Sequence, residues 1–258
     1  MKKQNIYIIL LASIAALSSC KKIVPTLFTN PDGIYFNAGD SLSYTFAKHP
    51  NRLTDTLEIP VVVLGDTAGF DREINVETIS DSDVNAKQGV DYKLLPPYKM
   101  PAGQVSTVIP VVIYRTGAMD SITETFILQL KANDKFESGI TSMASLKVRV
   151  GYLQKPSTWG EFSGLQWAGY STNFGTWTRT KYKLILDALY DPLSDTTVTE
   201  FPYSRFSPPA NYLQYLQVVK NYIRTNYPGN YSTPLGVGVT LRDPDENNNV
   251  IRVGPANY

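Results

Sequence analysis

Among 258 residues the chain has one cysteine, Cys20, and one histidine, His49. A lone thiol rules out an internal disulfide, and one Cys with one His cannot furnish the ligand set of a structural zinc site. Any hydrolytic chemistry would therefore rest on carboxylates, hydroxyls and lysines. Charge is scarce too: 18% of residues are charged, where roughly a quarter is usual, and 24 basic residues nearly cancel 23 acidic ones. Without a basic excess or stripe, nucleic acid is excluded as a partner. What is plentiful is apolar and aromatic side chain. The 43% hydrophobic content is enough to bury a core and excludes disorder, and 17 tyrosines with 17 glycines and 17 prolines suit many short strands and turns.

Met1-Lys2-Lys3 gives a positive start, and Ile6 to Leu17 is a mostly apolar run about the length of a signal-peptide core. No later apolar run is long enough to span a bilayer. The run ends Leu17-Ser18-Ser19-Cys20, which resembles a bacterial lipobox. In that motif small residues admit the lipoprotein signal peptidase and the cysteine thiol carries a diacylglycerol. The resemblance implies a signal peptide over residues 1–19 and lipidation of Cys20 as the new N-terminus. An ordinary secretory signal with a chance cysteine is the alternative. Loss of Lys2 and Lys3 leaves 22 basic against 23 acidic residues in the mature chain. Residues 20–32, with Pro25 and Pro31, read as a tether.

From Gly33 to Gly151 the chain alternates with period two. Strands are predicted at 33–36, 42–46, 56–64, 73–79, 106–113, 124–130 and 144–150, with turn residues between them. Seven strands at this spacing predict a mainly β fold, an immunoglobulin-like antiparallel β-sandwich over residues 33–152. Gly89-Val90-Asp91-Tyr92, Met100-Pro101-Ala102-Gly103 and Glu124-Thr125-Phe126 make this region similar to Calx-beta domains. Calcium-binding members of that family carry paired aspartates where this chain has Tyr114-Arg115-Thr116-Gly117, so no metal site is expected there.

Residues 153–258 differ in texture and predict a smaller α+β unit. Tyr182, Ile185, Leu186 and Leu189 share one helical face, and Tyr212, Leu213, Leu216, Val219 and Ile223 form a second stripe ended by Pro228-Gly229. Leu235–Leu241 and Val250–Val253 predict a closing hairpin around an acidic and Asn-rich tip at 243–249. That tip has calcium-loop oxygens but lacks the glycine and the distal glutamate. All three tryptophans fall within 156–178 among glycines. Trp159, Trp167, Tyr170 and Trp177 are therefore candidate ligand-binding residues, since indole rings stack on the apolar faces of sugars. The competing reading is that these rings seal the junction between the two units.

Several motifs in order, from the lipobox through Asp55-Thr56, Gly69-Phe70-Asp71-Arg72, Gly89-Val90-Asp91-Tyr92, Arg115-Thr116 and Lys155-Pro156-Ser157-Thr158-Trp159, resemble an uncharacterised Bacteroidetes lipoprotein family. Its genes often lie beside outer-membrane transporter pairs of the starch-utilisation type. The resemblance implies an outer-membrane, lipid-anchored protein that assists nutrient uptake by binding a glycan or peptide, or by docking on a transporter complex. Lys21-Lys22 after the anchor argues against outward display, so the leaflet stays open. A structural or assembly lipoprotein with inward-facing aromatics is the alternative. A carboxylate-based hydrolase, built on pairs such as Asp81/Asp83 or Asp71/Glu73, is the outside one. No nucleophile elbow or phosphate loop is present, so no catalytic residue and no cofactor is expected.

Overall fold

The computed structural model describes residues 32–156, 159, 173–201 and 210–254. The signal segment, Cys20 and the tether as far as residue 31 lie outside them, as do Trp167 and Tyr170. The strands run β1 (Gly33–Phe36), β2 (Ser41–Thr45), β3 (Thr54–Leu64), β4 (Arg72–Ile79), β5 (Tyr92–Leu94), β6 (Tyr98–Met100), β7 (Ser106–Tyr114), β8 (Glu124–Lys131), β9 (Glu137–Ser138) and β10 (Ser145–Gly151). All seven predicted strands form. The other three, β5, β6 and β9, are two or three residues long, too short for a period of two to show.

Two five-stranded sheets result, ordered β5-β7-β3-β1-β9 and β2-β10-β8-β4-β6, and the fold is mainly β. Ile34, Ile59, Val61, Val111 and Ile113 of the first sheet and Ile74, Phe126, Leu128, Val148 and Val150 of the second belong to one buried cluster. The expectation of purely antiparallel pairing is corrected at two edges, because β2 pairs parallel with β10 and β1 pairs parallel with β9. The chain changes sheets between β1 and β2. An edge strand that arrives by such a crossing needs no hairpin with its neighbour, so nothing forces it antiparallel.

Two prolines stand inside central strands and are accommodated by the same device. The register pairs Phe36 with Val61 and Leu94 with Val111, so Pro60 and Pro110 each sit one residue beyond the end of a short neighbouring strand, β1 and β5 respectively. Their carbonyls still accept hydrogen bonds on that side, from the Asn37 amide at 2.9 Å and the Tyr98 hydroxyl at 3.4 Å. The donor that proline lacks is thus missing where no strand needs it.

Helix α1 (Arg179–Ala188) starts at Thr178, whose hydroxyl accepts from the Lys181 amide, and it buries Tyr182, Ile185 and Leu186 as predicted. Helix α2 (Tyr212–Asn226) buries Val219 and Ile223. Leu213, expected in the same stripe, is 72% exposed. Six residues separate it from Val219, about 240° around a helix, which takes it off the buried face.

The closing hairpin is shorter than predicted and shifted. Strands β11 (Arg242–Asp243) and β12 (Asn249–Val250) pair over two residues, and 235–241 is not a strand. Buried Asn230 is the reason. Its side-chain amide donates to the Leu241 and Ile251 carbonyls and its oxygen accepts from the Leu241 amide, taking backbone groups that a longer ladder would use. Gly236 and Gly238 both have positive φ, which turns the chain away from extended geometry.

Candidate functional site

The aromatic segment is built inward where it is described. Trp159 is 2% exposed, its indole N–H donates to the Gly175 carbonyl at 2.9 Å, and its ring meets Tyr182 and Phe201 edge-on. Phe174 and Phe201 complete the cluster, which is continuous with the core of the sheets. Trp159 is therefore a packing residue and cannot stack on a ligand, because its faces are already covered. Trp177 is half-buried beside Tyr182, and its indole nitrogen is buried without a hydrogen-bond partner among the described residues. Trp167 and Tyr170, the other two candidates, lie outside the described residues.

An open cleft of about 350 Å³ lies on the other side of α1. Arg179, Lys183 and Asp187, spaced four residues apart, form its helical wall, Asp120 and Ser121 face them, and Leu153, Leu184, Tyr227 and Leu241 contribute the apolar surface. Arg179 donates to the Ser121 carbonyl at 3.1 Å, tying helix to sheet end. Lys183 pairs with Asp187 at 2.7 Å; burial works against its charge, but the Asp187 hydrogen bond and charge prevail and hold the ammonium above its ordinary value. Two cations and two carboxylates thus line an apolar floor. Such a wall offers donors and acceptors side by side, which suits a hydroxyl-rich or peptide ligand better than a simple anion. The spacing of Arg179, Lys183 and Asp187 was visible in the sequence; their apposition to Asp120 and Ser121, some sixty residues earlier, was not.

The remaining sequence candidates have structural occupations. The His49 ring nitrogen Nδ1 lies 2.9 Å from the Asp195 carbonyl. Asp83 is paired with Lys147 at 2.6 Å, Asp81 caps its own turn through the Asp83 amide, and Asp71 accepts from the Ala102 amide. Arg115 is held by its own neighbours: its guanidinium lies 3.4 Å from the Tyr152 ring centre and donates to the Pro50 carbonyl. The acidic tip at 243–249 begins on a residue turned inward. Asp243 is fully buried and accepts from Thr178 and from the Asp245 amide.

The chain belongs to a family described as a domain of unknown function, DUF4843, whose model matches residues 24–190. A comparison with curated proteins finds no match. Among solved structures it is similar to a protein of unknown function from Bacteroides ovatus, at 16% identity over 47% of this chain and 45% of that one, with a TM-score of 0.36. A two domain protein with unknown function from Bacteroides fragilis matches at 12% identity over 52% of this chain and 51% of that one, with a TM-score of 0.31. A putative carbohydrate binding protein from Bacteroides ovatus matches at 9% identity over 48% of this chain and 38% of that one, with a TM-score of 0.36. The match thus spans about half or less of each of these structures.

Proposed function

We propose that this chain is a non-catalytic cell-envelope lipoprotein, held at the outer membrane through a lipid on Cys20, that assists nutrient capture by holding a glycan or peptide in the α1 cleft. The observation that carries the reading is the apolar run ending in Leu17-Ser18-Ser19-Cys20, because it accounts for the single cysteine of the chain. We read the two sheets as an immunoglobulin-like, Calx-beta-like sandwich that serves as the scaffold. The cleft beside it presents the ligand-facing chemistry, in service of an outer-membrane transporter complex. No cofactor enters this function. The burial of Trp159 favours a second reading, a structural or assembly lipoprotein with no ligand of its own.

The test is retention of ligand by the lipidated full chain on arrays of oligosaccharides and short peptides. One class is expected to be retained, retention is expected to fall at least tenfold in Arg179→Ala and Asp187→Ala, and the ligand should be recovered at unchanged length. Retention of neither class would leave the assembly reading, and recovery of shortened ligand would contradict the non-catalytic one.

A further inference from the structure

From Thr225 to Leu241 the chain runs 17 residues without a charged side chain, between Arg224 and Arg242. Within that stretch Leu235, Val237 and Val239 are 46%, 60% and 61% exposed. Single exposed aliphatics are ordinary on a protein surface, but here three stand at alternate positions of one loop, separated by glycines. The loop is held in place. The Gly236 amide donates to the Gly229 carbonyl at 2.8 Å, the Val237 amide donates to the Ser232 hydroxyl at 3.1 Å, and the Gly229 amide donates to the Val239 carbonyl at 2.9 Å. A side chain at Gly229 would collide with the carbonyls of Val237 and Val239, 2.7 and 2.9 Å away, so the loop is fitted closely to its base. Both flanking arginines are exposed and positioned beside it, Arg224 over the Tyr231 ring at 5.2 Å and Arg242 donating to the Asn248 carbonyl at 3.1 Å.

We infer that residues 232–240 form a bilayer-contacting loop, with Leu235, Val237 and Val239 entering the interface of an anionic membrane and Arg224 and Arg242 meeting its headgroup phosphates. Aliphatic tips flanked by arginines and tyrosines match the layering of that interface, apolar below and anionic above. The inference rests on the Cys20 anchor for its driving concentration. Residues 21–31, fully extended, reach at most about 40 Å, so a lipidated Cys20 keeps the folded part at the bilayer surface, where a weak second contact suffices to orient it.

The chain has no cysteine apart from Cys20, so Val237→Cys and Val239→Cys each give one thiol for a nitroxide label once Cys20 is lipidated. Leu193→Cys, at a position 97% exposed in another loop, is the control. The probe is a vesicle of phosphatidylethanolamine and phosphatidylglycerol at three to one. On reconstitution of the lipidated full chain, collisions with a water-soluble nickel chelate are expected to fall at least threefold at 237 and 239 and collisions with oxygen to rise, while 193 stays aqueous. Labels at 237 and 239 as aqueous as at 193 would overturn the inference. So would equal shielding in the absence of vesicles, which would mean that a second copy covers the loop. Absence of lipid on Cys20, measured by mass on the same sample, would refute the anchor instead, and the same labels placed in a Cys20→Ala chain added to preformed vesicles would still report on the loop alone.

Discussion

Thr178 and Asp243, 65 residues apart and both buried, are joined by a hydrogen bond of 2.6 Å between the hydroxyl and the carboxylate. The same hydroxyl caps α1 through the Lys181 amide, and the same carboxylate holds the Asp245 amide that starts the closing turn. The pair therefore fixes the helical wall of the cleft relative to the base of the hairpin. Lys181 reinforces it, donating to the Thr176 carbonyl and to Glu246. Thr178→Ala is expected to cost about 1–2 kcal/mol, as loss of a helix cap does. Asp243→Ala should cost about 2–3 kcal/mol, because it leaves the buried Thr178 hydroxyl and the part-buried Asp245 amide without that acceptor. Urea denaturation of the double variant should show less than the sum; strict additivity would mean that the two ends are not coupled.

Where the folded part begins, Asp32 pairs with Arg72 at 2.5 Å, and Arg72 lies over the buried Phe136 ring. Arg72 is 4% exposed, so removal of its partner strands a buried cation. Asp32→Ala is expected to lower stability by about 2–3 kcal/mol, and Arg72→Met in that background to restore part of it. Failure of the second substitution to rescue would show that Asp32 acts through the Asp66 amide, which it also accepts, and not through the ion pair.

Glu124 is 5% exposed; burial first, and then the charge of Asp91, raise its pKa above the ordinary 4.5, with Lys87 opposing. A carboxyl whose folded value lies above its unfolded one binds protons more tightly when folded. Its contribution is therefore most favourable in acid and is lost as pH rises through the folded value. Glu124→Gln removes that loss. It should stabilise the protein at pH 7 and change little at pH 4. Denaturation curves of both proteins at the two pH values give the answer, and equal differences at pH 4 and pH 7 would contradict it.

Trp159 separates packing from recognition. Trp159→Ala is expected to cost about 3–5 kcal/mol, as removal of a buried aromatic does, with Trp159→Phe costing less. Retention of oligosaccharide or peptide per folded molecule should be unchanged in the phenylalanine variant. A selective loss of retention with stability preserved would return Trp159 to the binding surface.

The strands were legible because their apolar residues alternate: Leu57, Ile59, Val61 and Val63 of β3 are all buried, and the residues between them are not. The parallel edge pairing of β2 was not, since nothing within five residues records which neighbour a chain will meet after changing sheets. Tyr182 and Ile185 announced α1, while Leu213 misled because an apolar residue near a stripe need not lie on it. The buried polar residues Asn230 and Asp243 were missed or misread. Each looks like an ordinary turn residue, and its role comes from backbone groups that only the folded chain brings near. The cleft on α1 shares that origin, with half of it in the helix pattern and half in the remote pair Asp120 and Ser121. The tryptophan cluster shows the reverse, a compositional signal that was easy to see and whose described part serves the core.

The proposed function begins with the anchoring of the chain by its one cysteine. Intact-mass spectrometry of the mature protein extracted from the envelope tests it most directly. The expected result is a first residue of Cys20 carrying the mass of a thioether-linked diacylglycerol, absent from a Cys20→Ala variant. A mature chain that begins elsewhere, or one that begins at Cys20 with an unmodified thiol, would contradict the account.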